Sequence, residues 1–220
     1  MRQYYDSLFQ DLEGSNMYAD FVKKHGQGST LLEFACGTGD LLVKLSDQFD
    51  CVGLDLDKTM IDKAIAKYPQ FASKFTVGNF LTYRDTKHYD TLICVGDSLN
   101  YLHDEDELNQ FVESATFFSN CIILDMHHPY RLEEFEDGYY EEGDTSEFQY
   151  MYVIDSEDDH LIHTINFMDG TFDQVLQWVF DPAILIEAFQ AKGFTVEIYT
   201  DFETKGIESI GEKVMLVCKK

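Results

Sequence analysis

Leu31-Leu32-Glu33-Phe34-Ala35-Cys36-Gly37-Thr38-Gly39-Asp40 decides how this chain is read. Leu31, Leu32 and Phe34, with Glu33 between them, have strand-like character and run into a turn of small residues, and a helical pattern follows. Glycine reaches positive φ without steric penalty and lets the backbone approach a ligand closely. A dinucleotide site would place G-x-G-x-x-G here, with a pyrophosphate on the helix N-terminus. The spacing is instead Ala35-x-Gly37-x-Gly39, with Glu33 two residues ahead of it. Taken alone, such a turn is also compatible with a tight turn that binds nothing.

One βα unit further on, Val52-Gly53-Leu54-Asp55-Leu56-Asp57 closes the next apolar run with acids. A carboxylate at that place can accept hydrogen bonds from both hydroxyls of a ribose. Asp57 reads as the cap of a helix over 58–68, whose Met60, Ile61, Ala64 and Ile65 share one face and which Pro69 ends. Further buried strands are expected at 75–77, 91–95 and 121–125. Asp104 and Glu107 form a capping-box pattern ahead of Leu108, Phe111, Val112 and Ala115. Strands alternating with helices predict a parallel sheet with right-handed crossovers.

The period changes after Asp125. Residues 148–154, 161–168 and 175–180 alternate with period two around the turns 155–159 and Asp169-Gly170, which predicts antiparallel hairpins. Phe148, Tyr150, Tyr152, Phe167 and Trp178 are expected to give this segment one packing face. A helix then restarts with Asp181 as cap, Pro182 first and Gly193 at its end, before strands at 195–199 and 213–218. The expected architecture is α/β: a Rossmann-like, seven-stranded, mostly parallel sheet with helices on both faces. An antiparallel insert over 133–180 follows strand five, within one domain spanning 1–220.

Composition narrows the function. The formal net charge is −25, from 41 acidic and 16 basic residues, and no Lys or Arg falls between Arg131 and Lys192. Such a field repels a phosphate backbone, so nucleic acid is not an expected partner. Equally, the acids are compatible with a solvated surface or with attraction of a cationic substrate. Cys36, Cys51, Cys94, Cys121 and Cys218 sit in or beside apolar runs without a CxxC pair, and read as buried reduced thiols. No apolar leader or membrane-length run is present, which makes the cytoplasm the expected location, with no membrane partner.

Together, Glu33-Phe-Ala-Cys-Gly-Thr-Gly39, Gly53-Leu-Asp-Leu-Asp-Lys-Thr-Met60, Val77-Gly-Asn-Phe80 and Tyr89-Asp-Thr-Leu-Ile-Cys-Val95 resemble the class I S-adenosylmethionine-dependent methyltransferases. With Asp97-Ser-Leu-Asn-Tyr-Leu102 and Asp125-Met-His-His-Pro-Tyr-Arg-Leu132, the chain is similar to a bacterial small-molecule subfamily. The resemblance implies S-adenosylmethionine as cofactor. It carries the methionine part over Glu33 and the turn of Ala35, Cys36, Gly37 and Gly39, and the ribose to Asp55. Leu56 and Met60 then flank the adenine, Asn79 and Phe80 read its edge, and Gly96 and Asp97 close the site. The family more often has Asp where Asn79 stands; a carboxamide oxygen accepts a hydrogen bond as well. Tyr5, beside Tyr4, either folds over the cofactor or packs on the surface.

Methyl transfer from a sulfonium is an in-line displacement that rests on alignment and a dry pocket, and no metal is expected. His127 and His128, just past strand five, are candidate bases, and Tyr101 and Tyr130 candidate walls of the acceptor pocket. Each also has an ordinary packing role open to it. Asn-Pro-Pro-Tyr, common in methyltransferases of nucleic-acid bases, is absent after strand four. The leading expectation is transfer to N or O of a small molecule, with the insert as lid, pocket wall or homodimer surface. A non-catalytic cofactor-binding module and a nicotinamide-dependent oxidoreductase are the alternatives.

Overall fold

The computed structural model describes residues 12–145 and 148–220. The chain begins with helix α1 (Leu12–His25), then β1 (Thr30–Phe34), α2 (Asp40–Leu45), β2 (Asp50–Asp55), α3 (Lys58–Lys67) and β3 (Phe75–Val77). β4 (Thr91–Cys94), α4 (Glu105–Phe118) and β5 (Cys121–His127) complete the alternating part, and the short helix α5 (Tyr130–Glu134) follows. Next come β6 (Tyr139–Asp144), β7 (Gln149–Glu157), β8 (His160–Phe167) and β9 (Phe172–Trp178). Helix α6 (Ala183–Ala191), β10 (Thr195–Thr200), β11 (Thr204–Lys205) and β12 (Lys213–Lys219) end the chain.

The main sheet has eight strands in the order β11-β10-β12-β5-β4-β1-β2-β3. Its eighth strand beyond the seven expected is the two-residue β11, too short to carry a periodic signal. β5, β4, β1, β2 and β3 run parallel, while β12 and β10 join antiparallel. Chain order reverses between β4 and β1, so a crevice opens beyond their C-terminal ends, where ligands bind in open α/β sheets.

Alternation along the strands builds two cores. Leu32, Phe34, Leu92, Cys94, Ile122 and Leu124 pack with Phe111 of α4 and Phe189 of α6 on one face. Leu31, Cys51, Ile93 and Ile123 pack with Val22 of α1, Leu42 of α2 and Ala64 of α3 on the other. The five cysteines are buried and free. Helix starts follow the expected chemistry. Asp57 accepts from the Thr59 amide at 2.8 Å, Asp104 from Glu107 at 2.9 Å and Asp181 from Ala183 at 2.9 Å.

The insert is a separate four-stranded antiparallel sheet, β6-β7-β8-β9. The turn between β7 and β8 is tighter than expected. β7 runs on to Glu157, which pairs with His160, and only Asp158 and Asp159 turn, with φ +53° at Asp158. The aromatics do not share one face. Register pairs Trp178 with His160, one residue out of phase with the side chains opposite Tyr152. Trp178 packs on Phe180 and donates from Nε1 to Asp159 at 2.8 Å. Phe148, Tyr150 and Phe167 form their own cluster. Among the described residues, no helix is long and apolar enough to cross a membrane.

Candidate active site

Two loops frame the crevice. After β1, Ala35 takes φ +57°, Gly37 +53° and Gly39 +83°; after β4, Gly96 takes +78° and Asp97 +61°. Left-handed Ala and Asp are costly without glycine's freedom, and such residues gather where function fixes the backbone. The two glycines of the first loop differ. A Cβ on Gly39 would lie 2.6 Å from the Phe75 ring, whereas one on Gly37 meets nothing within 4 Å, and the same is true of Gly96. Gly39 is therefore demanded by protein packing. Gly37 and Gly96 border open space at the strand ends.

Asp55 braces this loop. One carboxylate oxygen accepts from the Gly37 amide at 2.8 Å and the other from the Asp57 amide at 2.8 Å. Beside it Leu56 is 69% exposed at the crevice, and Met60 is buried. Glu33 is buried at the end of β1, and its Oε2 has no hydrogen-bond partner. Burial, reinforced by Asp55 and Asp40, pushes its carboxyl up to about 8. Burial likewise pushes the Cys36 thiol far up, so this residue lines the loop as an inert side chain. An open glycine cradle, a braced carboxylate and an unpartnered buried carboxyl fit a cationic cofactor with a ribose.

Asn79 is exposed, and its side-chain oxygen accepts from the Leu81 amide at 2.8 Å. That oxygen holds its own turn, so a ligand here would share it. The Phe80 ring does not face the crevice; it stacks on Phe34 at 5.8 Å and meets Phe111 edge-on at 5.5 Å. Phe80 can offer only backbone to an adenine edge, a correction that follows from its packing in the core. Tyr5 lies outside the described residues.

On the acceptor side the two histidines separate. His128 accepts from the Tyr130 amide at its Nδ1 (3.1 Å), while its Nε2 lies 3.1 Å from the Glu208 carbonyl. Both ring nitrogens are engaged, so His128 holds the loop before β12 and is not free to act as a base. His127 is buried as well, and its ring contacts lie on the insert and on the loop after β4. Its Nε2 is 2.8 Å from Gln177 Oε1 of the insert, and its Nδ1 is 3.6 Å from Asp97 Oδ1. Tyr101 ends a 3-10 turn, Ser98–Tyr101, and is 49% exposed.

Around His127 stands a part-buried polar cluster that no local pattern in the sequence marks. Lys213 lies 2.5 Å from Asp97 and 3.5 Å from Asp125, and Tyr18 of α1 donates to Asp125. Burial alone would raise the Asp97 carboxyl, but Lys213 and His127 outweigh it and hold it down at about 2. Asp125 moves the other way, raised by burial. On the insert side, Tyr152 and His163 Nδ1 lie 2.6 Å apart, and the His163 ring stacks 6.4 Å from His127. Burial lowers His163 to about 4, so it is neutral near pH 7. Asn100 ties the layers together: it donates to the Trp178 carbonyl at 2.7 Å and accepts from the His127 amide at 3.0 Å.

The chain is similar to known methyltransferases along most of its length. The methyltransferase-domain family model matches residues 31–116. A Geobacillus sp. (strain WCH70) protein that bears a methyltransferase name is 28% identical over 229 residues, spanning 90% of this chain and 88% of that protein. The crystal structure of an S-adenosylmethionine-dependent methyltransferase from Clostridium acetobutylicum ATCC 824 superposes with a TM-score of 0.83 at 20% identity, covering 99% of this chain and 96% of that one. A sugar N-methyltransferase from Streptoalloteichus sp ATCC 53650 gives a TM-score of 0.76 at 18% identity, with 98% and 93% covered. These structural likenesses show the fold.

Proposed function

We propose, from the premise that this chain is a class I S-adenosylmethionine-dependent methyltransferase, that it methylates a nitrogen of a small, amine-bearing molecule. The observation that carries the acceptor side is His127. It is a buried imidazole at the ligand edge of β5, between the Asp97 carboxylate and the Gln177 amide of the insert. An amine reaches neutral pH as an ammonium and must shed a proton before its lone pair can attack. When bound, the cofactor supplies an electrophilic methyl group on a positively charged sulfur. His127 Nε2, which lies 2.8 Å from Gln177 Oε1, would exchange that contact for the acceptor nitrogen and take its proton. The neutral nitrogen so formed would be the nucleophile toward that methyl group.

The other site residues orient and exclude water. Asp55 holds the ribose hydroxyls, the loop of Ala35, Cys36, Gly37 and Gly39 passes under the methionine part, and Leu56 and Met60 flank the adenine. Gly96 and Asp97 border the reacting centre, with Tyr101 at the rim. The insert, tied through Asn100 and Gln177, walls the acceptor side. Carboxylates at the crevice suit a cationic acceptor, and the likeness to a sugar N-methyltransferase supports an amino sugar as the first class to try.

The test is turnover of S-adenosylmethionine to S-adenosylhomocysteine against amino sugars, their N-acetyl forms and the matching hydroxyl-only sugars. The expected result is product one methyl group heavier from free amines only. Turnover confined to hydroxyl compounds would overturn the nitrogen assignment.

A further inference from the structure

We infer that Lys213 is a positioning residue for the transfer: from the last strand it holds the Asp97 carboxylate beside Nδ1 of His127, so that the imidazole keeps its Nε2 edge for the acceptor. The inference rests on the function proposed above. It starts from register. Lys213 is the cross-strand partner of His127 in the β12–β5 ladder, so the two side chains leave the same face of the sheet. Nζ of Lys213 and Nδ1 of His127 approach the same oxygen, Oδ1 of Asp97, at 2.5 and 3.6 Å.

Asp97 is clamped from its backbone side too. Its amide donates to Asp125 Oδ1 at 3.1 Å, and Asp125 is held by Tyr18, whose ring lies 5.8 Å under the Lys213 ammonium. The charges facing this carboxylate are thus Lys213 from β12, His127 and Asp125 from β5, and Arg131 from α5.

Stability alone does not call for this arrangement. A buried ion cluster replaced by apolar residues of similar volume is often neutral or stabilising. What the ammonium provides is direction, since a carboxylate freed from it would rotate. A proton on Nδ1 faces Asp97 and leaves Nε2 toward Gln177, whose amide can present either end.

The experiment uses the whole chain with 15N-labelled histidine, free and saturated with S-adenosylhomocysteine. Long-range 1H–15N spectra read which ring nitrogen of His127 carries the proton. The wild type is expected to carry it on Nδ1, and Lys213→Met to move it to Nε2. Lys213→Arg should keep the wild-type pattern. Affinity for S-adenosylhomocysteine in Lys213→Met should stay within about threefold of wild type, because Lys213 is not placed on the cofactor.

A His127 pattern unchanged by Lys213→Met, or an unprotonated Nδ1 in the wild type, would overturn the assignment. Should Lys213→Met fail to fold, Asp97→Asn keeps the shape and removes the carboxylate; it should also lose the Nδ1 proton, and an unchanged spectrum again overturns the role. Absence of S-adenosylhomocysteine binding to the wild type would sink the methyltransferase site, while the free-chain spectra still decide Lys213.

Discussion

Gly37 and Gly39 look alike in the sequence and differ in what surrounds them. Both adopt positive φ, so alanine strains the backbone equally, by about 1–2 kcal/mol. Only at Gly39 does the added carbon also strike Phe75. Gly39→Ala should therefore lose far more stability in urea titration than Gly37→Ala. Calorimetry should in turn find at least about tenfold weaker S-adenosylhomocysteine binding by the folded Gly37→Ala chain. Undiminished binding would mean that the open space over Gly37 is not the cofactor's. Glu33 gives a second prediction. Its carboxyl stands near 8 in the native chain against 4.5 unfolded, so between those values the native state holds a proton that the unfolded state lacks. Stability then falls as pH rises through that window, by at most about 1.4 kcal/mol per pH unit. Glu33→Gln should flatten this slope and exceed the wild type in stability at pH 8. Parallel pH profiles for the two chains would contradict it.

At the scale of elements, Asn100 joins the parallel sheet to the insert. It is 1% exposed, and alanine there leaves the Trp178 carbonyl and the His127 amide without partners. Each buried group left unmade costs about 1–3 kcal/mol, so Asn100→Ala should destabilise by about 2–4 kcal/mol. Faster amide exchange should concentrate in β9 and around His127, and uniform exchange across both sheets would show that the insert does not depend on this tether. The elements themselves were largely readable. Apolar runs, Asp caps and the switch to period two at 148–180 mark β1 to β5 and β7 to β9 because each is a local signal. What escaped was set by tertiary pairing. β5 continues to His127 because β12 pairs along its whole length, and β11 exists only as a two-residue ladder on β10. The phase of Trp178 also depends on the tight Asp158-Asp159 turn, which register alone reveals.

For the whole molecule, the glycine loop and Asp55 were legible because one βα unit carries them, eighteen residues apart. The cluster of Tyr18, Asp97, Asp125, His127 and Lys213 was not. Its contacts join residues 107 and 116 positions apart, and no local pattern marks a lysine that will meet two carboxylates. That cluster sits within a chain of formal charge −25, and this combination has a measurable consequence. S-adenosylmethionine carries a sulfonium charge and its S-methyl group, which S-adenosylhomocysteine lacks, while the two share the adenosine and the amino-acid part. Asp55 and Asp97 border the site against Lys213 and Arg131, so the near charges largely offset one another. The acidic remainder of the chain makes the field at the sulfur negative, favouring the charged cofactor over its product. At an effective dielectric near 20, one uncompensated charge at ~10 Å contributes about 1–2 kcal/mol, several-fold or more in affinity. Much of the remaining field comes from solvent-exposed acids, and salt shortens its reach from about 30 Å at 0.01 M to about 3 Å at 1 M. Calorimetric titration of both ligands across that range should show S-adenosylmethionine preferred at low salt, with the preference shrinking as salt rises. S-adenosylhomocysteine affinity should change little. A preference that ignores salt would confine the discrimination to the buried carboxylates, and a preference for S-adenosylhomocysteine at low salt would mean that Lys213, not the acids, dominates the field at the reacting centre.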